Sequence, residues 1–292
     1  MRQEAYFCTV KELDELGKNN IPRQLISHTH LIYSSPATLA FNSPGAEGFG
    51  VKRAGLAVPD SVMLIVSPGC CGRNTSVLSS MRAYQDRFYY LLMDETDIVT
   101  GRHLKKIPKA VAEICEGLKK KPSVVMICIT CVDALLGTDM ERVCHKAEEY
   151  AGVPVRPCYM YALTREGRKP PMVHVRQSVY SLLEPKKKKG NVVNLLGYFS
   201  PLTDDCELYD LLHGAGVKTI HEISRCKDYA QYQTMSEANF NLVLHPEARF
   251  AAEDFHDRLK IPYIELRRLY QIDKIASQYR ALAAAPVSYT HL

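Results

Sequence analysis

The chain has 292 residues, of which 46% are hydrophobic and 24% charged, and its formal net charge is +5. These values are typical of a soluble globular protein with two ordinary domains, and they exclude a disordered or collagen-like chain. No apolar run reaches the roughly 18 residues of a transmembrane helix, and the N-terminus lacks an apolar signal segment. We therefore expect a cytoplasmic protein without a membrane partner.

From residue 60 onward, short β-branched apolar runs alternate with amphipathic segments. This pattern predicts an α/β fold in which parallel, doubly wound sheets carry helices on both faces. The predicted strands cover residues 61–66, 124–129, a strand that begins at 153–155, 191–196, 217–220, 241–244 and 262–266. The predicted helices cover residues 104–120, 139–150, 206–212, 248–259 and 275–285.

A run of four lysines, Lys186 to Lys189, separates the two halves of this pattern. Such a run can contact nucleic acid or a membrane surface, but it is more typical of a solvated linker. We interpret it as a linker and expect no nucleic-acid partner. The predicted domains are then residues 1–187 and 191–285. Residues 286–292 carry no capping signal and resemble translated adapter sequence, so we exclude this tail, as non-native, from the predicted fold.

The sequence lacks the motifs of P-loop nucleotide hydrolases, zinc proteases and α/β-hydrolases. Its ten cysteines, in a reducing compartment, indicate metal ligation or redox chemistry rather than disulfides. Most of them, such as Cys128 inside a predicted strand, are interpreted as core residues because free cysteine packs like a small hydrophobe.

Cysteine and histidine side chains follow three predicted strands at their carboxyl ends. Cys70 and Cys71 follow the first strand, Cys131 follows the second, and His245 follows a strand of the second unit. Ligands of open α/β sheets bind beyond the carboxyl ends of the strands, and thiolates there suit iron–sulfur clusters or zinc. The sequence does not distinguish Cys70 from Cys71 as a metal ligand, and Cys158 is a less favoured candidate.

Several segments, in the same order, resemble the nitrogenase component 1 family, which includes molybdenum–iron protein subunits, cofactor scaffolds and tetrapyrrole reductases. Gly45-Ala46 and the segment VPDSVMLIVSPGCCG resemble its GA segment and HGPxGC loop, with Cys71 on the family cysteine and Ser67 in place of the histidine. The other similar segments are TDIVTG, ITC with LGTD, NVVNLLGYFS, AGVKT and IPYIEL. The resemblance spans about residues 35–280. It implies Rossmann-like domains, two visible here of an expected three.

In this family, paired subunits hold an iron–sulfur cluster between them with cysteines from both chains. Cys71 and Cys131 match two of the family positions, whereas the first, near Phe41, has no thiol. The resemblance therefore implies a [4Fe-4S] cluster completed by a second component 1-like subunit, identical or different, with zinc as the competing metal. It also implies an ATP-dependent iron–sulfur reductase as electron donor.

His245 stands where true nitrogenase has its cofactor-binding cysteine, so dinitrogen reduction is not expected. The resemblance implies that His245 binds a second metallocofactor or faces a tetrapyrrole; the alternative is a structural histidine beside Pro246. Our first hypothesis is an oxidoreductase subunit that receives electrons through the cluster and reduces an unidentified substrate near the domain cleft. The alternative hypothesis is a metallocofactor assembly scaffold or carrier without turnover. The third is a cluster-free binding module.

Overall fold

Two four-stranded parallel sheets form the frame of the protein. The computed structural model describes residues 8–17, 19, 20, 22, 50–69, 79–160 and 169–289, without the side chains of residues 134 and 285–289. Strands β1 (Val62–Ser67), β2 (Phe88–Leu92), β3 (Val125–Thr130) and β4 (Val155–Met160) form the first sheet in the order β2-β1-β3-β4. Strands β5 (Val192–Leu196), β6 (Thr219–His221), β7 (Phe240–Val243) and β8 (Tyr263–Glu265) form the second in the order β6-β5-β7-β8.

Helices connect the strands and cover the sheets. They are α1 (Val10–Leu16), α2 (Gly50–Gly55), α3 (Glu95–Thr100), α4 (His103–Gly117), α5 (Cys131–Leu136), α6 (Met140–Ala151), α7 (Pro171–Tyr180), α8 (Glu207–Gly214), α9 (Tyr229–Gln233), α10 (Arg249–Leu259) and α11 (Ile272–Tyr289). This architecture confirms the predicted α/β class with parallel sheets and flanking helices. No helix of the described ranges is long and apolar enough to cross a membrane.

The central strands of the first sheet are apolar up to their last residues, Ser67 and Thr130, because helices cover both faces. Every residue of β1 and β3 is buried. Met63 and Ile65 pack on the face that carries α2 and α7, whereas Leu64 and Val66 pack on the face that carries α4 and α6. The predicted burial of Cys128 is confirmed, since it lies inside β3 with no exposed surface.

The sequence pattern did not predict helix α7, which lies between the two sheets. It packs against α2, β4 and α10, and eight of its ten residues are buried. The apolar cluster around it, here called the shared core, runs from Met63 and Cys128 of the first sheet through Tyr180 to Leu196 and Val243 of the second. The two sheets are therefore joined by continuous apolar packing.

The lysine run is a largely exposed connection between α7 and β5, with two anchors. Lys188 donates a hydrogen bond to the carbonyl of Ser236 at 2.7 Å, and Lys189 pairs with Glu237. At the other end of the second unit, α11 continues four residues into the segment that the sequence analysis excluded from the fold.

His174 on α7 predicts a pH dependence of stability. Burial, with the nearby positive charge of Lys169, lowers the pKa of His174 from 6.5 to about 4. Between these values the unfolded chain binds the proton and the folded chain does not, so the free energy of unfolding falls as the pH drops below about 6.5. At about 1.4 kcal/mol per pKa unit, the loss at pH 4 is about 3 kcal/mol.

Urea denaturation at pH 7 and pH 5 measures the part of this loss that falls in that range, about 2 kcal/mol. His174→Phe is expected to reduce the pH-dependent difference, to which the lowered pKa values of His221 and His245 also contribute, whereas His256→Gln on the exposed surface of α10 leaves it in place. An unchanged difference in the His174 variant would contradict the assignment.

Candidate functional site

Both sheets have a topological switch point at the carboxyl ends of their two central strands, here called the crevice of each sheet. In each sheet the chain moves from the first strand to one neighbour and then returns to the opposite side, so the connections diverge between β1 and β3 and between β5 and β7. Open α/β sheets bind ligands at such switch points. Three predicted site residues lie in the described part of the chain. Cys131 and His245 lie at these two switch points, and Cys158 does not.

Cys131 lies at the crevice of the first sheet, as the first residue of α5 directly after β3. It is a free, partly exposed cysteine. Cys70 and Cys71 lie outside the described residues, so their roles stay predictions. Within the described part of the chain, no three His, Cys, Asp or Glu side chains are grouped so that they could hold a metal ion.

A buried histidine–aspartate pair supports the start of α5. The Nε2 atom of His103 lies 2.8 Å from Oδ1 of Asp133, and the Oγ1 hydroxyl of Thr138 donates to the same oxygen at 3.0 Å. The His103 Nδ1 atom lies 3.0 Å from the carbonyl of Asp97, which can only accept, so Nδ1 carries a hydrogen. This pair fixes the turn that presents Cys131.

Asp97 supports the His103–Asp133 pair through its backbone carbonyl. Its buried carboxylate accepts hydrogen bonds from Lys106 at 2.8 Å and from Arg102 at 2.9 Å. These two cations lower the pKa of Asp97 to about 2. The carbonyl that orients His103 therefore belongs to a residue anchored by charge.

His245 lies at the crevice of the second sheet, immediately beyond β7. Its side chain is 34% exposed, and its ring stands edge-on to Tyr198 at a centroid distance of 5.8 Å. Burial is the main cause that lowers the pKa of His245, so the imidazole is neutral at pH 7. The backbone N–H of Glu247 donates to His245 Nδ1 at 3.3 Å, so the ring is oriented by the turn that follows it. Oε2 of Glu247 lies 3.6 Å from the same nitrogen, beyond hydrogen-bond distance.

Arg176 fixes the position of the Glu247 carboxylate, which lies near the His245 ring. This buried guanidinium donates to Glu247 at 2.8 Å and to the Gly197 carbonyl at 3.1 and 2.7 Å. Gly197 has a φ of +138°, and a Cβ atom there would lie 2.7 Å from the backbone nitrogen of His245. The ends of β5 and β7 are thus held close together, and the position of His245 is fixed by both.

A cleft of about 560 Å³ lies between the amino ends of the first sheet and the carboxyl ends of the second. Its cationic lining residues are Arg53, Arg87 and Lys227, and Tyr84 and Phe199 contribute aromatic surface. The acidic lining residue among those described is Asp60, which pairs with Lys120 at 2.7 Å. The cleft therefore favours an anionic occupant.

Cys158 lies away from both crevices, in the shared core. It is fully buried, its thiol donates to the Val51 carbonyl at 3.5 Å, and its register partner on β3 is Cys128. Contact with Cys128, together with burial, raises the pKa of Cys158 well above its usual value. As a metal ligand, Cys158 stays a prediction without support from this environment.

The comparisons with known proteins agree with this architecture. The family described as nitrogenase component 1 type oxidoreductase matches residues 47–287. The chain is 27% identical over 236 residues to the nitrogenase iron-molybdenum cofactor biosynthesis protein NifE of Nostoc sp., covering 78% of this chain and 48% of the relative. It is 26% identical over 263 residues to NifE of Klebsiella pneumoniae, covering 82% of this chain and 57% of the relative. The chain thus spans about half the length of the curated relatives it matches.

Solved structures give the same result for the fold. Nitrogenase Cp1 at pH 6.5 has a TM-score of 0.60 at 18% identity, covering 81% of this chain and 56% of that chain. Nitrogenase Cp1 at pH 5 has a TM-score of 0.59 at 19% identity, covering 94% of this chain and 57% of that chain. The resemblance read from the sequence segments is confirmed, and the chain belongs to the nitrogenase component 1 type oxidoreductase family.

Proposed function

We propose that this chain is a subunit of a scaffold or carrier on which a metallocofactor is assembled and from which it is passed on. The observation that carries the proposal is His245, a neutral, partly exposed imidazole that the backbone N–H of Glu247 orients at the switch point of the second sheet. Imidazole is a common ligand for iron and other transition metals, and the side chain of this one is 34% exposed. The NifE relatives, described as cofactor biosynthesis proteins, support a scaffold.

The cargo in this proposal is an anionic iron- and sulfur-containing cofactor. His245 would bind it through one metal atom, and the cationic cleft beside Phe199 would attract its negative charge. The side chains of Arg53 and Lys227 are exposed and free to approach such a cargo from the cleft wall.

A separate [4Fe-4S] cluster is proposed at the crevice of the first sheet, with Cys131 and Cys71 as this chain's ligands. The site fits a sulfur-ligated group, because the Ser67 and Thr130 hydroxyls are buried there without a partner among the described residues and can donate hydrogen bonds to sulfur. When bound, the cluster would store and deliver single electrons. A second component 1-like subunit would supply the other ligands, and an ATP-dependent iron–sulfur reductase would supply electrons.

The second candidate is an oxidoreductase subunit with its own substrate in the cleft. The description of the family as an oxidoreductase favours it. The two candidates differ in turnover: a scaffold retains its cargo and consumes no substrate when reductase and ATP are added, whereas an oxidoreductase accumulates reduced product.

Metal analysis of the anaerobically purified complex tests the proposal. Cys131→Ala is expected to lose about four iron atoms per cluster, because it removes a thiolate ligand. His245→Ala is expected to keep those atoms and to lose the second, cargo-derived iron. Cys206→Ala is the matched control, since Cys206 is also a partly exposed cysteine at the start of a helix.

Iron and acid-labile sulfide are measured in all three variants. Iron content that is unchanged in His245→Ala would contradict the carrier proposal. Substrate turnover by the wild-type complex would favour the oxidoreductase instead.

A further inference from the structure

Two hydroxyl groups end the central strands of the first sheet. Ser67 is the last residue of β1 and Thr130 the last of β3. Val66 and Ile129 are register partners in the parallel ladder, so the next residue of each strand is a neighbour of the other. Their side chains are buried, with 0% and 1% of each residue exposed. These hydroxyls thus lie side by side at the switch point.

Both hydroxyls point to one face of the sheet. Ile65 and Cys128, two residues earlier in each strand, belong to the shared core, and side chains alternate between faces along a strand. Ser67 and Thr130 therefore stand on that same face, at its carboxyl edge. Cys131 follows Thr130 directly.

Neither hydroxyl has a hydrogen-bond partner among the described residues. Thr130 precedes helix α5 but does not cap it with its side chain. Of the seven buried side-chain atoms without a partner in the described part of the chain, two are these neighbouring hydroxyls. Buried hydroxyls without partners destabilise a protein, so this pair of donors needs a compensating acceptor.

We propose that Ser67 and Thr130 donate hydrogen bonds to sulfur atoms of the iron–sulfur cluster that Cys131 helps to hold. The inference rests on the proposed cluster site, and it identifies two side chains that set the reduction potential of the cluster. Cluster sulfides and cysteine thiolates carry negative charge and accept hydrogen bonds. Donors stabilise the more negative, reduced cluster, so they raise its potential.

The test compares Ser67→Ala, Thr130→Val and the double variant in the complex with the second component 1-like subunit, loaded anaerobically with iron and sulfide. Electron paramagnetic resonance, recorded during a redox titration, gives the ratio of reduced to oxidised cluster. At the wild-type midpoint this ratio is expected to fall about tenfold in the double variant, which is about 59 mV for a one-electron couple. Thr130→Ser keeps a hydroxyl and is expected to keep the wild-type ratio.

Urea denaturation of the iron-free protein supplies a second readout. Removing a hydroxyl that has no partner is expected to leave the iron-free variants as stable as the wild type or more stable. Ser236→Ala is the control, because the Ser236 hydroxyl is buried but donates to the Gln233 carbonyl at 2.8 Å. This control is expected to lose stability without a change in potential.

The two failures can be told apart. A loaded cluster whose potential is unchanged in both single variants and in the double variant would overturn the inference and leave the cluster site standing. A wild-type complex that takes up no iron would overturn the cluster site, and the inference with it.

Discussion

Glu247→Gln is expected to lower the free energy of unfolding by about 3 kcal/mol, because it leaves the Arg176 guanidinium buried without its counter-charge. The two side chains are only 5% and 7% exposed, and their charged atoms lie 2.8 Å apart. Arg176 keeps its bonds to the Gly197 and Met172 carbonyls in the variant. The loss is therefore specific to the carboxylate charge.

Urea denaturation at pH 7 measures this loss. Glu149→Gln is the control, since Glu149 forms an exposed pair with His145 on α6 and such pairs contribute little. We expect the control to change stability by less than about 0.5 kcal/mol. Equal losses in the two variants would show that the buried pair is no stronger than a surface pair.

Gly197→Ala is expected to destabilise the protein by about 3–5 kcal/mol, through two effects that add. A side chain at a φ of +138° strains the backbone. The new Cβ would also lie 2.7 Å from the backbone nitrogen of His245, so the end of β7 must shift. Because this shift displaces His245, we expect the variant molecules that still fold to bind less metal at this residue.

Thermal denaturation and metal retention of the same preparation check both consequences. Gly190→Ala is the matched control, because Gly190 precedes the same strand and nothing lies within 4 Å of the added Cβ. A Gly197→Ala protein with the same melting temperature as the wild type would contradict the close approach of β5 and β7.

The sequence predicted those elements whose signals are local. Strands β1 and β3 were located to within one residue because each is a continuous apolar run closed by polar or turn-forming residues. Strand β2 was not predicted because FYYLL contains no β-branched residue and alternates between buried and exposed positions at the sheet edge. Helix α7 was not predicted because it is buried on nearly all sides, which removes the polar face that marks an amphipathic helix.

The position of the candidate site was predictable from the sequence, but the buried residue pairs that hold its side chains in place were not. Cys131 and His245 follow from strand ends and the switch-point rule. Arg176 and Glu247 are separated by 71 residues, and His103 and Asp133 by 30. Nothing local in the sequence pairs residues at such distances. A buried arginine in the apolar segment PMVHVRQSVY was the available signal, because a charge in such a segment needs a partner.

The shared core also limits how the cleft can change its width. Moving one sheet away from the other would separate α7 from its neighbours and expose Tyr180 and Phe255, whose rings pack at 5.3 Å. Exposing one large apolar side chain costs about 1.5–3 kcal/mol, so a wide opening of several such contacts is rarely populated. The cleft therefore keeps a nearly constant size of about 560 Å³, and a rigid body much larger than this can enter it only in part, whatever its charge.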